Sequence, residues 1–388
     1  MSSFTDKATR PQGRIPAKPS PQPPRLVGKD GSNPAEVLAH CRPGKADPNQ
    51  VLEVLIKLFN TRHTALEKTV SFKTRKERAH FLRRFYRDLK VRAGFKILPD
   101  PRNLGDQHIR AIVKVWQQKK LAPATIQTYF SFLRGLALWL GKTGFIQSPA
   151  YYGMEPQEYK RTEVAHVDKS WTSAGVEIDG LIEKVCAFDR YVGASLKLIR
   201  TMGLRRKESI MIRPHQCVVP FEATGIDTKE RQADRYVFIK AGAKGGRPRF
   251  IPLNTQERTD ALEFARTVAV GKDSHMGDPR NGLRENLRRF DYVMFKFGIT
   301  GKQLGITVHG LRHEVMINHY QDQAGAAPSV RSGGAVPPEK DAAARLSTAK
   351  LAGHNRIKAS GAYLGPMIAR REALPSHRRR ENPKDTAE

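Results

Sequence analysis

The sequence predicts two folded parts, an all-α helical bundle and then a mixed α+β domain that contains a small β-hairpin sheet. Apolar residues recur at helical spacing between residues 48 and 145. Helical and strand-like segments follow one another between 176 and 370. The chain has 388 residues, of which 39% are hydrophobic. This is enough to bury a core, and the length favours more than one domain.

Residues 1–47 are rich in Pro, Gly, Ser and Lys and contain few apolar side chains that could be buried. We therefore expect a flexible, basic, Pro-rich tail here. It lacks the apolar centre of a signal peptide. No stretch of the sequence reaches the roughly 18 apolar residues that a membrane span requires. We expect a soluble, cytoplasmic protein that has no membrane partner.

Residues 48–145 are predicted to form four helices. Asp106 is a candidate cap for the third helix, and Pro123 and Gly141 suit the start and the end of the fourth. A bundle of this kind would bury the apolar stripe of each helix. The four stripes run from Val51 to Phe59, from Phe81 to Leu89, from Ile109 to Trp116 and from Ile126 to Leu140.

The second of these helices is strongly basic. Residues 73–92 contain nine Lys or Arg against Glu77 and Asp88, an excess of seven positive charges. Solvated helix faces normally mix both signs, so this pattern favours contact with the DNA backbone over a merely hydrated surface. The candidate DNA-binding residues in this helix are Arg75, Lys76, Arg83, Arg84 and Arg87.

Residues 146–175 show no clear period and contain several Pro and Gly, which is typical of a linker. The second domain is predicted over 176–370, with a polar tail over 371–388. Within this domain, a Gly-, Ala- and Pro-rich segment at 322–344 is expected to be an inserted surface loop. The predicted helices are 176–187, 189–202, 255–270, 282–297 and 311–321, and the predicted strands are 235–241 and 247–253, which flank a turn at 242–246.

The formal net charge is +30 and the sequence pI is about 10.3. Such an excess indicates a polyanionic partner, with nucleic acid ahead of an anionic membrane. Only three cysteines occur, and none forms a Cys-x-x-Cys pair. The sequence therefore supports neither a disulfide framework nor a zinc ribbon.

Five short boxes occur in a fixed order in the second domain. One of them, His309 with Arg312, places an imidazole and a guanidinium on one helix face, where both could grip the same phosphate. A single His-x-x-Arg box is weak evidence, because arginine is frequent here. The ordered set is much more specific. Its members are Gly203-Leu204-Arg205 with Glu208, the hairpin Lys244, His309 with Arg312, Gly353-His354, and Tyr363.

This ordered set resembles the tyrosine recombinases, also called phage integrases. The resemblance covers residues 48–370, because the helical bundle is similar to the SAM-like core-binding domain of that family. It implies a site-specific recombinase, an integrase or resolvase of a mobile element, that cleaves and rejoins duplex DNA through a 3′-phosphotyrosine intermediate. It further implies no metal, no ATP and no other cofactor, a homotetramer on two paired sites, and a bacterial, nucleoid-associated location.

The resemblance also assigns roles within the site. Arg205 and Arg312 would bind the scissile phosphate, and Tyr363 would be the nucleophile. Lys244 would protonate the leaving 5′ oxygen, and Glu208 would brace the arginines. The remaining family positions are His309, expected to orient groups or shuttle protons, and His354, expected to hydrogen-bond the phosphate.

These roles agree with the chemistry. Breaking a phosphodiester in this way requires a nucleophile, cations that stabilise the transition state and an acid for the leaving oxygen. Arginine suits the second task because its planar fork matches non-bridging oxygens. In the hairpin, Arg247 and Arg249 are expected to contact the DNA backbone. His313 and His319 are expected on the helix surface or at the DNA.

Two other readings remain open, a DNA-binding regulator with the same fold that does not cut, and a type IB topoisomerase with the same chemistry. A zinc site on His309 and His313 is disfavoured, because Glu314 follows the second histidine instead of lying between the two. The spacing of 42 residues from Arg312 to His354 is longer than the family usually has, and this excess coincides with the predicted loop.

Overall fold

The computed structural model describes residues 38–39, 41–63 and 69–367. Most of the predicted tail at 1–47 and all of the predicted tail at 371–388 lie outside these residues. The chain divides into two compact units after Arg161. Within the described residues, no helix combines the length and the apolar character that crossing a membrane would require.

The first unit is helical, as predicted. Asp47 caps the first helix by accepting a hydrogen bond from the backbone N–H of Gln50, and Pro123 begins the fourth. The four predicted apolar stripes face one shared core, in which Leu52 and Phe130 are almost completely buried. The helices are α1 Pro48–Phe59, α2 Phe72–Val91, α3 Asp106–Gln118, α4 Pro123–Trp139 and the short α5 Pro156–Tyr159.

The second unit is mixed helix and strand, which confirms the predicted fold class. Its helices are α6 Ile178–Phe188, α7 Arg190–Met202, α8 Arg206–Met211, α9 Gln256–Val268, α10 Leu283–Lys296, α11 Val308–Ala324, α12 Pro338–Leu351 and α13 Gly361–Leu364. Its strands are β1 Val218–Pro220, β2 Arg235–Ile239 and β3 Arg249–Pro252.

The three strands form one antiparallel sheet in the order β1-β2-β3. Strands β2 and β3 are the predicted hairpin, and Val237 pairs with Ile251 in β3 and with Val218 in β1. Strand β1 was not predicted, since a strand of three residues is too short to show alternation. The sheet holds the turn at 242–246 beside the helical core.

Helix α11 runs through the middle of the second unit. Every side chain from Leu311 to Ile317 is buried, so this part of the helix lacks the polar outer face of a surface helix, whereas Asn318 and Gln321 to Gln323 are exposed. Helix α7 packs against it with Ile199 and Met202 in the same core cluster. Arg312 lies on this buried helix.

The predicted linker at 146–175 contains the boundary between the two units, but both of its ends are packed. Its first part packs into the first unit through Ile146 and Tyr152, which are both 6% exposed. Its last part packs into the second unit, where Trp171 is fully buried and its indole N–H donates to the carbonyl of Thr307 at 2.8 Å. The segment lacks periodicity because isolated apolar residues anchor it.

The predicted loop at 322–344 is shorter in the structure. Helix α11 continues to Ala324, and α12 begins at Pro338, so the connection covers only 325–337. Pro337-Pro338 suggested a loop, whereas Pro338 occupies the first turn of a helix, where proline is favoured. This 325–337 loop contains a single 3-10 turn, Ser329–Arg331.

Candidate active site

Arg205 is presented by a sharp junction between two helices. Gly203 ends α7 in the left-handed conformation with φ +62°, and a Cβ there would lie 2.6 Å from the Met316 side chain. Leu204 is fully buried, and Arg205 caps α8. The Gly-Leu-Arg box therefore stops one helix, anchors the turn and places the guanidinium in the site.

Arg312 is fully buried on α11 and binds three separate segments. Its Nε donates to the Tyr363 hydroxyl at 2.9 Å, one Nη donates to the carbonyl of Gly203, and the other donates to the carbonyl of Ala352 at 2.6 Å. Burial lowers the pKa of Arg312 to about 10, with the Tyr363 hydroxyl acting in the opposite direction. The group remains a cation at neutral pH.

Glu208 is buried between two arginines. It accepts hydrogen bonds from the Arg205 guanidinium and backbone N–H at 2.6 and 2.7 Å, and from both Nη atoms of Arg249 at 2.8 and 2.7 Å. Burial would raise the pKa of Glu208, but the bonds and charges of Arg249 and Arg205 outweigh burial and lower it to about 2. Glu208 thus holds both guanidiniums, as expected for a bracing residue.

The prediction that Arg249 contacts the DNA backbone is wrong for this structure. Arg249 is only 5% exposed, because it lies on the same face of β3 as the buried Ile251. Its Nη atoms are bound to Glu208, while its buried Nε has no hydrogen-bond partner among the described residues. By contrast, Arg247 is exposed, as a backbone contact requires.

The turn after α12 brings a shared acceptor to the two site arginines. The carbonyl of Ala352 accepts from Arg312 at 2.6 Å and from Arg205 at 3.1 Å. Gly353 turns the chain with φ +75°, and a Cβ there would lie 3.1 Å from the Arg249 side chain. His354 follows and is half-buried. The Ala-Gly-His box is therefore part of the arginine cluster.

Tyr363 lies on α13 and is 5% exposed. Besides the Arg312 hydrogen bond, its ring packs against two histidines, with centroid separations of 4.9 Å to His313 and 6.1 Å to His309. The structure therefore brings Arg205, Glu208, His309, Arg312 and Tyr363 into one connected cluster, and His354 adjoins it.

The histidines of this cluster favour the neutral form. Partial removal from water, together with Arg312 and Arg205, lowers the pKa of the exposed His309 to about 4. Burial and then the charges of Arg205 and Arg312 also lower the pKa of His354. Each ring can therefore accept a proton or a hydrogen bond at neutral pH.

The sequence reading of His313 as a surface or DNA-contacting residue is wrong. His313 is 4% exposed, its ring meets the edge of Tyr363, and its Nδ1 is buried without a hydrogen-bond partner in the described part of the chain. Burial, His309 and Lys169 lower the pKa of His313 to about 3. Its position next to Arg312 on a buried helix was the available signal.

Lys244 lies at the tip of the hairpin, in the short 3-10 turn Lys244–Gly246. Its side chain is exposed, and its charge is among those that lower the pKa of His354. Both Gly245 and Gly246 have positive φ, a conformation that glycine adopts without strain. The hairpin thus places a cation at the edge of the cluster.

The basic residues predicted to bind DNA on α2 differ in their surroundings. Lys76 and Arg87 are exposed. Arg83 is exposed but makes a two-pronged ion pair with Glu53 at 2.6 and 2.7 Å. Two further arginines lie over aromatic rings, Arg84 at 5.0 Å from the ring centre of Tyr129 and the half-buried Arg75 at 5.9 Å from that of Phe72.

Two family profiles match this chain. One described as "Integrase" matches residues 161–318, and one described as "Phage integrase, N-terminal" matches residues 58–146. His354 and Tyr363 lie beyond the first of these ranges. No curated protein sequence matches the chain at a significant level.

Solved structures are similar to this chain at low sequence identity, and one of them reaches a TM-score of 0.50. A lambda integrase dimer bound to a COC′ core site is 12% identical with a TM-score of 0.50, and the match covers 88% of this chain and 99% of that one. The Tn1549 transposon integrase in complex with transposon right end DNA is 12% identical with a TM-score of 0.49, covering 82% and 96%.

The second of these profiles matches residues 58–146 of the helical first unit, and the first matches residues 161–318, which make up most of the second unit. The ordered boxes quoted from the sequence all fall in the second unit. Arg205, Glu208, His309, Arg312 and Tyr363 form one cluster there, with His354 and Lys244 at its edge. The chain belongs to the integrase family of tyrosine recombinases.

Proposed function

We propose that this protein is a site-specific DNA recombinase that cleaves and rejoins duplex DNA through a 3′-phosphotyrosine intermediate, without metal or ATP. The observation that carries the proposal is the hydrogen bond from Arg312 Nε to the buried Tyr363 hydroxyl at 2.9 Å. A nucleophile candidate is thereby fixed beside a guanidinium that has further donors to offer a phosphate.

The arginines have donors to spare for the scissile phosphate. A guanidinium carries five N–H groups. Arg312 uses three on described residues, which leaves two, and the Arg205 side chain uses two, which leaves three. Both side chains converge on the Ala352 carbonyl, so their forks lie close together. In the proposal they bind the non-bridging oxygens and stabilise the charge of the transition state.

The proposed reaction then follows from the neighbouring groups. The Tyr363 oxygen attacks phosphorus as its proton passes to the neutral His309, directly or through water. The bond from phosphorus to the 5′ oxygen breaks, Lys244 protonates that oxygen, and His354 hydrogen-bonds the phosphoryl group. The products are a 3′-phosphotyrosine and a free 5′ hydroxyl. Attack by another 5′ hydroxyl reverses these steps and rejoins the strands.

Exchange of two duplexes requires four strand cuts. Each chain carries one Tyr363 and can make one covalent link at a time, so a full exchange needs four copies on two paired sites. The tetramer is therefore part of the proposal.

Covalent capture tests the proposed function and identifies the target duplex in the same experiment. The protein is incubated with a fragment library made from the DNA that flanks its gene, denatured in detergent, and the DNA that stays attached is sequenced. The wild type should retain a defined duplex. Tyr363→Phe should bind that duplex with unchanged affinity but retain none after denaturation, because the nucleophilic oxygen is gone.

Two arginine variants extend this test. Arg205→Lys and Arg312→Lys keep the charge but lose the planar fork, so each should slow adduct formation on the captured duplex by about 10² to 10³. Adducts should form equally well in EDTA. An adduct that persists in Tyr363→Phe would refute the assignment. Binding without any adduct would favour a regulator, and relaxation without site preference a topoisomerase.

A further inference from the structure

Tyr363 lies on a helix that is too short to be stable by itself. Helix α13 has only four residues, whereas isolated helices shorter than about 12 residues are marginal in water. On its amino-terminal side, the carbonyl of Gly361 accepts from the backbone N–H of Ala165 at 2.8 Å. The position of Tyr363 must therefore be set by contacts with other segments.

The chain just after Tyr363 is held by two side chains. The Ser329 hydroxyl lies 2.9 Å from the carbonyl oxygen of Leu364 and 2.7 Å from that of Pro366, and its single hydrogen can serve either acceptor. Arg345 donates to the carbonyls of Gly365 at 3.1 Å and Pro366 at 2.9 Å. Three consecutive carbonyl groups are thus bound.

Arg345 is itself rigidly placed. It is 1% exposed, and its Nε lies 2.9 Å from both carboxylate oxygens of Asp341. Asp341 also accepts from the Tyr320 hydroxyl at 2.5 Å. Tyr320 belongs to α11, the helix that carries Arg312. The segment that carries Tyr363 is therefore bound, through Arg345 and Asp341, to the same helix as the arginine proposed to bind the phosphate.

The 325–337 loop lies directly against the backbone at Gly365. Gly365 has φ +84°, and a Cβ at this position would lie 2.7 Å from Ser329 Oγ and 2.9 Å from the backbone nitrogen of Val330. Only glycine fits both the conformation and the space. The contact is therefore close packing in addition to hydrogen bonding.

The 325–337 loop also contacts helix α11 and residues 168–170 through Arg331. Arg331 Nε donates to Asp168 at 2.7 Å, and its Nη2 donates to Ser170 at 3.0 Å and to Glu314 at 3.2 Å. Glu314 is buried on α11 next to His313, whose ring meets Tyr363. The loop thus spans from the arginine helix to the segment after the tyrosine.

We infer that the 325–337 loop and Arg345 form a clamp that positions Tyr363 for attack, with Ser329, Arg331 and Arg345 as its positioning residues. This inference rests on the proposed function for the meaning of "attack", but the clamp itself is a property of the fold. The residues that lengthen the spacing between Arg312 and His354 then have a function, which is to hold the segment that carries Tyr363. The hydroxyl is held beside Arg312 instead of sampling the positions open to a one-turn helix.

Ser329→Ala is the sharpest test because it removes one hydroxyl and leaves the arginine cluster intact. The matched control is Ser347→Ala, which removes a hydroxyl on α12 that lies 2.8 Å from His319 Nε2 and for which no hydrogen bond to residues 364–366 is found in the described part of the chain. Hydrogen exchange of the amides at 361–367 should be several-fold faster in Ser329→Ala than in the control, at unchanged melting temperature.

The same pair is compared on the captured duplex in single-turnover reactions. Ser329→Ala should form the adduct about tenfold more slowly with unchanged DNA affinity, since small misplacements of a nucleophile cost large factors in rate. Arg345→Lys, which cannot bind Asp341 and both carbonyls together, should lose more. If Arg345→Lys does not fold, Ser329→Ala alone decides.

Hydrogen peroxide separates positioning from damage to the phosphate site. As a small nucleophile it can replace the tyrosine oxygen, so Tyr363→Phe with peroxide should cleave at a rate that adding Ser329→Ala does not change. Wild-type adduct and exchange rates in Ser329→Ala would overturn the clamp, as would faster exchange with an unchanged adduct rate. Faster exchange with no wild-type adduct would support the clamp and contradict the proposed function.

Discussion

Glu208 determines how much positive charge the site presents. Its carboxylate is shared between Arg205 and Arg249, and its pKa of about 2 keeps it ionised at neutral pH. One negative charge therefore offsets part of two positive ones, and Arg312 adds a third. The cluster keeps a net positive charge for a phosphodiester, while each guanidinium stays fixed by hydrogen bonds.

Replacing Arg249 by Met should destabilise the second unit by about 3 kcal/mol, because removing one partner of a buried ion pair leaves the other inadequately paired. The free energy of unfolding in urea measures this. The matched variant Arg247→Met removes an exposed cation from the same hairpin, so it should leave unfolding unchanged and weaken DNA binding. Equal stabilities for both variants, with equally weakened DNA binding, would restore Arg249 as a backbone contact.

The predictable part of the site was the set of residues whose spacing reflects chemistry. Arg205, Arg312 and Tyr363 were found by their order along the chain, and the structure brings them together. The sequence does not predict the burial of Arg249 and His313, because polar and charged side chains are usually exposed. The alternation of Arg249 with Ile251 in one strand does carry that information, since both lie on the inner face.

At the level of elements, the sequence predicts helices well where an apolar stripe is visible, and poorly where the composition resembles a loop or the element is short. The first half of helix α12, residues 338–344, lies within the predicted loop at 322–344, because the Gly-, Ala- and Pro-rich composition of that segment predicts a loop. Helix α13 has one turn and no stripe. Both helices are held in place by the contacts of Arg345 and Ser329 with residues 364–366. These contacts join residues that are distant in sequence, so no local sequence pattern predicts them.

Variants of helix α2 can test which of its Lys and Arg side chains contact DNA phosphates. Lys76→Gln and Arg87→Gln remove exposed charges, so each should reduce the slope of log affinity against log salt by about 0.9. Arg83→Gln should reduce it less, because Glu53 already neutralises that guanidinium. The slopes are obtained from affinities for a random duplex measured from low to moderate salt, for each variant and for the wild type. Equal changes for all three variants would show that the Glu53 pair opens on DNA.

For the whole molecule, the net charge of +30 first indicated only a polyanionic partner. The structure assigns a few of these charges to the candidate active site and the hairpin, and shows that others are structural. Arg78 on the basic helix is an example, with 2% exposure and a bond from its Nε to Asn60 at 2.7 Å. Charge in the sequence therefore overstates the charge that DNA can reach.

Two histidines of α11, the buried His313 and the half-buried His319, should make the second unit sensitive to mild acid. Burial is the largest cause that lowers the pKa of His313 to about 3 and of His319 to about 4, against about 6.5 in the unfolded chain. A lowered histidine pKa means that the unfolded chain binds the proton first. Stability is therefore complete above pH 6.5 and falls as the pH drops towards 4.

Glu208 adds a second acid-sensitive step at lower pH. Its pKa of about 2 lies below the value near 4.3 of an unfolded glutamate, so its contribution is present above about pH 4.3 and is lost as the pH falls towards 2.

Urea unfolding at pH 7.5, 6, 5 and 4 isolates the histidine step. His313→Phe should flatten this dependence, because each pKa unit of His313 is equivalent to about 1.4 kcal/mol. The exposed His166→Asn should leave it unchanged. A wild-type slope in His313→Phe would mean that the acid sensitivity originates elsewhere.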